Sequence, residues 1–306
     1  MENKFVRQNI LPVVAAMIWG TAFVMQGLCA PHIPASAFNS IRFFIAFVLL
    51  SGVCRVFDAA AVKKGRQPQK SDRRALVIGG ICAGAFLTVA SYLQQLGIAQ
   101  TSAGKAGFIT ALYVVLVPVL GVFLKKRVTG QTWISVMIAV VGLYLLCIKA
   151  GEGFTLQTAD IYLLFCAFFF AGQILTIDRV GARVDGMKFS CAQFLAAAVF
   201  SGIISLLTET VTWSGIMACV WPLLYCAVFS SCVAYTLQTL AQRDSDPTVV
   251  TLLLSLESVF SVIAGAAILG DRLSQREYLG CVLMLIAVLL AQAPVGEIKN
   301  RLKTRS

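Results

Sequence analysis

Ala75-Leu76-Val77-Ile78-Gly79-Gly80-Ile81-Cys82-Ala83-Gly84-Ala85-Phe86-Leu87-Thr88-Val89-Ala90-Ser91-Tyr92-Leu93-Gln94-Gln95-Leu96-Gly97-Ile98 runs for 24 residues without an Asp, Glu, Lys, Arg or His. As a helix rising about 1.5 Å per residue it reaches about 36 Å, enough to cross a hydrocarbon core of about 30 Å. Outward from this run the same alternation of apolar stretch and charged punctuation recurs at residues 10–29, 37–56, 106–124, 131–148, 161–177, 189–207, 216–240, 248–269 and 278–293. The runs are continuous, whereas barrel strands alternate apolar and polar residues, so the predicted fold class is an all-α membrane protein of ten transmembrane helices. The first run is longer than the apolar core of a signal peptide and is read as an uncleaved span. Composition agrees: 58% of residues are hydrophobic, 13% charged, and the mean hydropathy is +0.84, far from a water-soluble domain.

The formal net charge of +11 is topological in this setting. A nucleic-acid partner is excluded, because the Lys and Arg sit in short gaps between apolar runs rather than on one folded face. If the N-terminus is inside, only Arg42, Lys105, Lys149, Arg272 and Arg276 of the 25 basic residues fall on the far side or within the membrane. Residues 58–74 form the one long basic loop and read as a solvated connector. The positive-inside rule therefore predicts a multi-pass protein of the cell membrane with both termini cytoplasmic. The ten cysteines occur singly, without a Cys-x-x-Cys pair, and read as small hydrophobes. The one histidine, His32, has no Cys or acidic cluster around it, so no metal and no cofactor are expected.

The run that opened this reading also carries the clearest internal echo. Tyr92-Leu93-Gln94-Gln95-Leu96 returns as Tyr235-Thr236-Leu237-Gln238-Thr239-Leu240, and Leu124-Lys125-Lys126-Arg127-Val128-Thr129-Gly130-Gln131 is paralleled by Leu269-Gly270-Asp271-Arg272-Leu273-Ser274-Gln275. Two repeats are expected, 1–150 and 151–295, followed by a basic tail, 296–306. Five spans is an odd number, so the second repeat enters the membrane inverted relative to the first, the plan that secondary transporters use for alternating access.

Several short motifs together resemble one family. They are Trp19-Gly20-Thr21-Ala22-Phe23, Phe38-Asn39-Ser40-Ile41-Arg42-Phe43, Tyr92-Leu93-Gln94-Gln95-Leu96-Gly97-Ile98-Ala99, Thr101-Ser102-Ala103, Ala111-Leu112-Tyr113-Val114-Val115-Leu116-Val117-Pro118, and Leu256-Glu257-Ser258-Val259. Together with Leu269-Gly270-Asp271-Arg272-Leu273-Ser274 they resemble the drug/metabolite transporter superfamily, and within it the ten-span EamA-domain proteins. Ser258 and Asp271 stand where that family often has Pro and Glu, and Lys126-Arg127 replaces the Gly-Glu of the first half. The resemblance implies that the first four spans of each half surround a central cavity while the fifth and tenth lie outside it.

Glu257 is the acid expected near the bilayer centre, where an ionised carboxylate must face the interior, be protonated or be paired. It reads as a proton-coupling or substrate-ammonium group, or else as a packing group hydrogen-bonded to a neighbouring helix. Arg42 reads first as an anchor snorkelling to the headgroups or a structural ion pair, and second as the partner of a substrate carboxylate; Lys105 is read the same way. Tyr92 and Gln95, with their echoes Tyr235 and Gln238, suit the wall of a cavity between halves. Trp19, Tyr113 and Asn39 complete the candidates, with Gln26, Gln173 and Gln193 as weaker ones. Gly80 and Gly84 read as a close helix contact.

The expected function is secondary transport, outward in preference, of small polar metabolites or amino acids, with proton coupling as an option. The partners are a small-molecule substrate and the lipid bilayer, and a homodimer is left open. The rivals are a flippase for lipids or lipid-linked sugars, which needs a cavity open sideways, and an intramembrane enzyme, which lacks paired acids or histidines within the membrane. No phosphate-binding loop is present for ATP hydrolysis.

Overall fold

A computed structural model describes residues 5–63, 71–126, 128–147, 157–243, 245–269 and 274–292, with no strand among them. The 296–306 tail, Lys149, Arg127, residues 64–70 of the basic loop and residues 270–273 of the second-half motif lie outside the described residues. Among the described residues eight helices are long and apolar enough to cross a membrane: α1 (Val6–Cys29), α2 (Ala35–Lys63), α3 (Arg73–Ile98), α4 (Ala103–Phe123), then α6 (Thr158–Gly181), α7 (Gly186–Thr208), α8 (Val220–Gln242) and α9 (Pro247–Ile268). Between and after them come the shorter apolar α5 (Gly130–Cys147) and α10 (Gln275–Gln292).

Four acids outside the apolar runs hold helix ends. Asp72 accepts from the amides of Arg74 and Ala75 at the start of α3, Asp185 from Met187 and Lys188 at the start of α7, and Asp246 from Thr248 at the start of α9. Glu209, beyond the end of α7, takes the Ser36 and Ala37 amides of α2, both at 2.8 Å. A carboxylate on the free N–H groups of a first turn satisfies donors that no carbonyl can reach and meets the positive end of the helix dipole.

The helices approach closely where small residues allow it. A Cβ added at Gly80 would stand 2.5 Å from the Cβ of Ala192, and one at Gly84 2.5 Å from that of Ala196, so α3 and α7 meet backbone to backbone as expected of the G-x-x-x-G spacing. Similarly, α1 presses on α9 at Gly20, where an added Cβ would lie 2.5 Å from Phe260 Cβ. α2 packs on α7, α3 on α6, and α5 along α10. Large apolar side chains such as Phe44, Phe165, Leu206 and Leu289 point outward, the arrangement a lipid solvent favours.

Three apolar runs differ from uninterrupted helices. α4 is divided into Ala103–Ala111 and Tyr113–Phe123, and α9 into Pro247–Leu254 and Glu257–Leu269. Both breaks tighten into three-residue hydrogen bonds, Leu112 to Ile109 and Val115 to Leu112 in α4, Leu256 to Leu253 and Ser258 to Ser255 in α9. In α9 the hydroxyls of Thr251 and Ser255 bond back to carbonyls of their own turn, at 2.8 and 2.7 Å, which competes with the regular ladder and bends it. The third is α8, where Cys226–Ala234 is a π-helical stretch running into Tyr235–Gln242.

Candidate functional site

The two breaks face each other. Tyr113 opens the second segment of α4 and Glu257 the second segment of α9, and the tyrosine hydroxyl donates to Glu257 Oε1 at 3.0 Å. Ser258 Oγ donates to the Gly107 carbonyl at 3.1 Å, so the broken helices are tied at two points. Glu257 is buried at 3% exposure and lines an interior cavity of about 30 Å³. The carboxylate thus faces the interior of the bundle rather than lipid, as its place in the sequence requires.

Arg42 lines the same cavity, which corrects the expectation that it snorkels or forms an ion pair. Its side chain is 1% exposed, and its guanidinium carbon lies 5.0 Å from the ring centre of Phe38 and 4.6 Å from that of Phe43. Two turns into α2, the head group is held against these two rings inside the bundle. Nε and Nη2 are buried without a hydrogen-bond partner, and no carboxylate among the described residues pairs with it. Two ring faces offset part of the desolvation of a cation, but they offer no acceptors. Asn39, on the preceding turn, is likewise buried with neither amide atom bonded, although it lies outside the cavity wall.

Trp19 and Tyr235 join the two charged groups. Trp19 Nε1 donates to the Ser230 carbonyl at 3.1 Å, a carbonyl within the π-helical stretch of α8, and its ring meets Tyr235 edge-on at 4.8 Å between centres. Tyr235 lines the cavity together with Arg42 and Glu257. Gln238, one turn on, lines the cavity and heads a buried amide chain, donating to Gln173 at 3.4 Å while Gln173 donates to Gln193 at 3.1 Å. The chain links α8, α6 and α7.

Six of the nine candidates therefore share one cavity: Trp19, Arg42, Tyr113, Tyr235, Gln238 and Glu257. Tyr92 is half-buried and off the wall, and Gln95 is buried with its amide on the Gln26 carbonyl at 3.0 Å. Their place is taken by Gln94, one residue away and about 100° around the helix. Phe23, of the first-span motif, also lines the cavity, as do Thr110, Phe170, Ile174 and Ser230, which carried no signal beyond lying in apolar runs. Lys105, read as an anchor or a structural ion pair, pairs with the buried Asp160 of α6 at 2.9 Å. α5 and α10 contribute nothing to the wall, as the resemblance implied.

A helical membrane bundle enclosing a polar cavity between its helices defines a polytopic membrane protein of the solute-carrying class. The chain belongs to the EamA-like transporter family, which matches residues 7–148 and again residues 157–292 and fits within the drug/metabolite transporter superfamily. It is similar to an uncharacterized transporter of Archaeoglobus fulgidus, 29% identical over 92% of this chain and 84% of that one. It is also similar to uncharacterized transporters of Synechocystis sp. (22% identical, 94% and 90% covered) and Bacillus subtilis (21%, 93% of each). A solved structure titled only as the crystal structure of a protein shares the fold with a TM-score of 0.72, at 16% identity, over 93% of this chain and 96% of that one. The protein is a transporter.

Proposed function

We propose that this transporter is a secondary carrier that moves a small polar metabolite, of the amino-acid kind, by alternating access, outward in preference. Arg42 receives the substrate's carboxylate, and Glu257 receives its ammonium group or a coupling proton. The observation that carries the reading is one cavity lined by an unpartnered, 1%-exposed guanidinium and a 3%-exposed carboxylate. Such groups are costly to bury, and a solute that carries the complementary charges offsets that cost.

The proposed topology is ten spans in two inverted five-helix repeats, in the cell membrane with both termini cytoplasmic. The packing pattern supports it: exchanging spans one to five with six to ten maps α3 on α6 onto α8 on α1, and α4 on α6 onto α9 on α1, while α2 on α7 and α5 on α10 map onto themselves. The family match to each half and the breaks beside Tyr113 and Glu257 support the same reading. Helices broken at the midplane are how such carriers expose backbone and side-chain polarity to a substrate.

The test is reconstitution into proteoliposomes with a metabolite panel, with and without a pH gradient. Gradient-driven flux of an amino acid or related zwitterion that is lost in Glu257→Gln and Arg42→Gln is the expected result. Unchanged flux in both variants overturns the assignment. Impermeant maleimide labelling of Gly130→Cys and Gln275→Cys tests the topology, with opposite faces of the membrane expected.

A further inference from the structure

A second concavity of about 860 Å³, which shares no lining residue with the central cavity, lies between α3, α4 and α6. Its walls are apolar and open to the lipid side: Ile78 is 57% exposed, Phe123 80% and Phe168 45%. Gly79 and Gly172 lie on its floor, and a Cβ at Gly172 would stand 2.6 Å from the ring of Phe86, so Phe86 of α3 packs directly on the α6 backbone there. Cys82 and Thr176 face each other across that floor at 3.9 Å.

One end of the groove is basic. Arg74 stands at the start of α3, and Arg179 and Arg183 stand at and just beyond the end of α6, so the chain directions bring all three to the same end of the bundle. The two segments are held together there. Asp72 N donates to the Arg183 carbonyl at 3.0 Å, and Asp185 N donates to Ser71 Oγ at 2.8 Å. The acids nearby are already engaged, because Asp72 caps α3 and Asp178, beside Arg179, pairs with Lys126. The exposed guanidinium groups of Arg74, Arg179 and Arg183 therefore face one end of a long apolar slot with an excess of positive charge.

We propose that this groove is a binding site for an anionic diacyl phospholipid, with its phosphate on Arg74, Arg179 and Arg183 and an acyl chain along Ile78, Phe86 and Phe168. The charge pattern selects the occupant. A choline headgroup would bring a quaternary cation to three guanidinium groups, and a soluble anion would leave the apolar slot unfilled. Because the groove and the transport cavity share no lining residue, the lipid is a resident ligand seated over the contact between α3 and α6 rather than cargo.

The experiment uses the full-length protein in nanodiscs containing equal parts of phosphatidylglycerol and phosphatidylcholine, with co-purifying lipid counted by native mass spectrometry. The wild type retains phosphatidylglycerol over phosphatidylcholine, and each arginine removed lowers the ratio by about five-fold, so that the triple variant Arg74→Gln/Arg179→Gln/Arg183→Gln binds both alike. Thr176→Trp, which fills the floor and keeps the charges, displaces the lipid as well. Arg55→Gln/Lys63→Gln, which removes basic residues of α2 instead, leaves the ratio unchanged. Equal retention by the wild type overturns the proposal, as does a preference that survives the triple variant or falls equally in the α2 variant. Displacement of the lipid by millimolar glycerol phosphate would also overturn it, because the site would then recognise a soluble anion.

Discussion

The broken helices α4 and α9 have the same architecture and different chemistry. Each is a short segment, a tight turn of three-residue hydrogen bonds and a second apolar segment, and each places a polar side chain first after the break. In α4 that side chain is the neutral Tyr113, and in α9 it is Glu257, the two joined at 3.0 Å. The fold at this depth needs a hydrogen-bonded pair, which any donor and acceptor could supply. It does not need a carboxylate, and the proposed role of Glu257 is to receive the substrate's ammonium group or a coupling proton. The same asymmetry separates Tyr92 and Gln95, which are off the cavity wall, from Tyr235 and Gln238, which are on it.

The largest effect expected from testing this contrast is at Arg42, the cation on the same wall. Arg42→Met is expected to weaken substrate binding by about 100-fold or more, measured by equilibrium binding in detergent, because a charge-assisted contact is lost. The same variant should melt at a higher temperature without substrate, since an unpartnered buried charge is removed. A lower melting temperature would make Arg42 a structural residue.

Next comes the pair at the breaks. Glu257→Gln keeps an acceptor for Tyr113, so stability should change by less than about 1 kcal/mol while gradient-driven flux falls about ten-fold or more. Tyr113→Phe should do the reverse, costing about 1 kcal/mol in thermal unfolding with a smaller loss of flux. If the two variants have equal effects on flux, the chemical distinction between the halves is not functional.

The helix contacts around the breaks should respond more modestly. Gly20→Val and Gly84→Val overpack α1 on α9 and α3 on α7, and each should cost about 1–3 kcal/mol in unfolding assays. Gly52→Val, on the same kind of apolar helix but with nothing within 4 Å, should be close to neutral.

The smallest effects separate the echoed pairs. Gln95→Leu should cost about 0.5–1.5 kcal/mol of stability and leave substrate selectivity intact. Gln238→Leu should cost a similar amount and also change the preference shown in a competition panel. Tyr92→Phe should be silent in both assays, within about 0.5 kcal/mol. A selectivity change in Gln95→Leu would place both echoes at the cavity.

Much of this arrangement was legible in the residues. Continuous apolar runs located every long helix, and the loneliness of Glu257 marked it as interior, because the bilayer leaves an ionisable group few places to be. The breaks in α4 and α9 were invisible: Ala111-Leu112-Tyr113 and Leu254-Ser255-Leu256 are as apolar as the turns around them, and hydropathy measures transfer from water, not hydrogen-bond geometry. Arg42 was read toward the surface because sequence depth counts residues from a helix end and cannot see Phe38 and Phe43 closing over the side chain. Lys105 was placed at the start of its helix, where the structure has it, but its partner Asp160 could not be named, being 55 residues away.

By itself, the sequence determined that this chain must be solved by lipid, that its spans are helices, and that a few polar residues would have to turn inward, because each of these follows from the cost of polar groups in hydrocarbon. The tertiary structure alone decided which of those residues meet. Gln94 rather than Gln95, Tyr235 rather than Tyr92, and Arg42 without a carboxylate all depend on helix rotation and on neighbours far away in the chain. A rotation of one residue is about 100°, and no local pattern of apolar side chains in an almost wholly apolar helix fixes it.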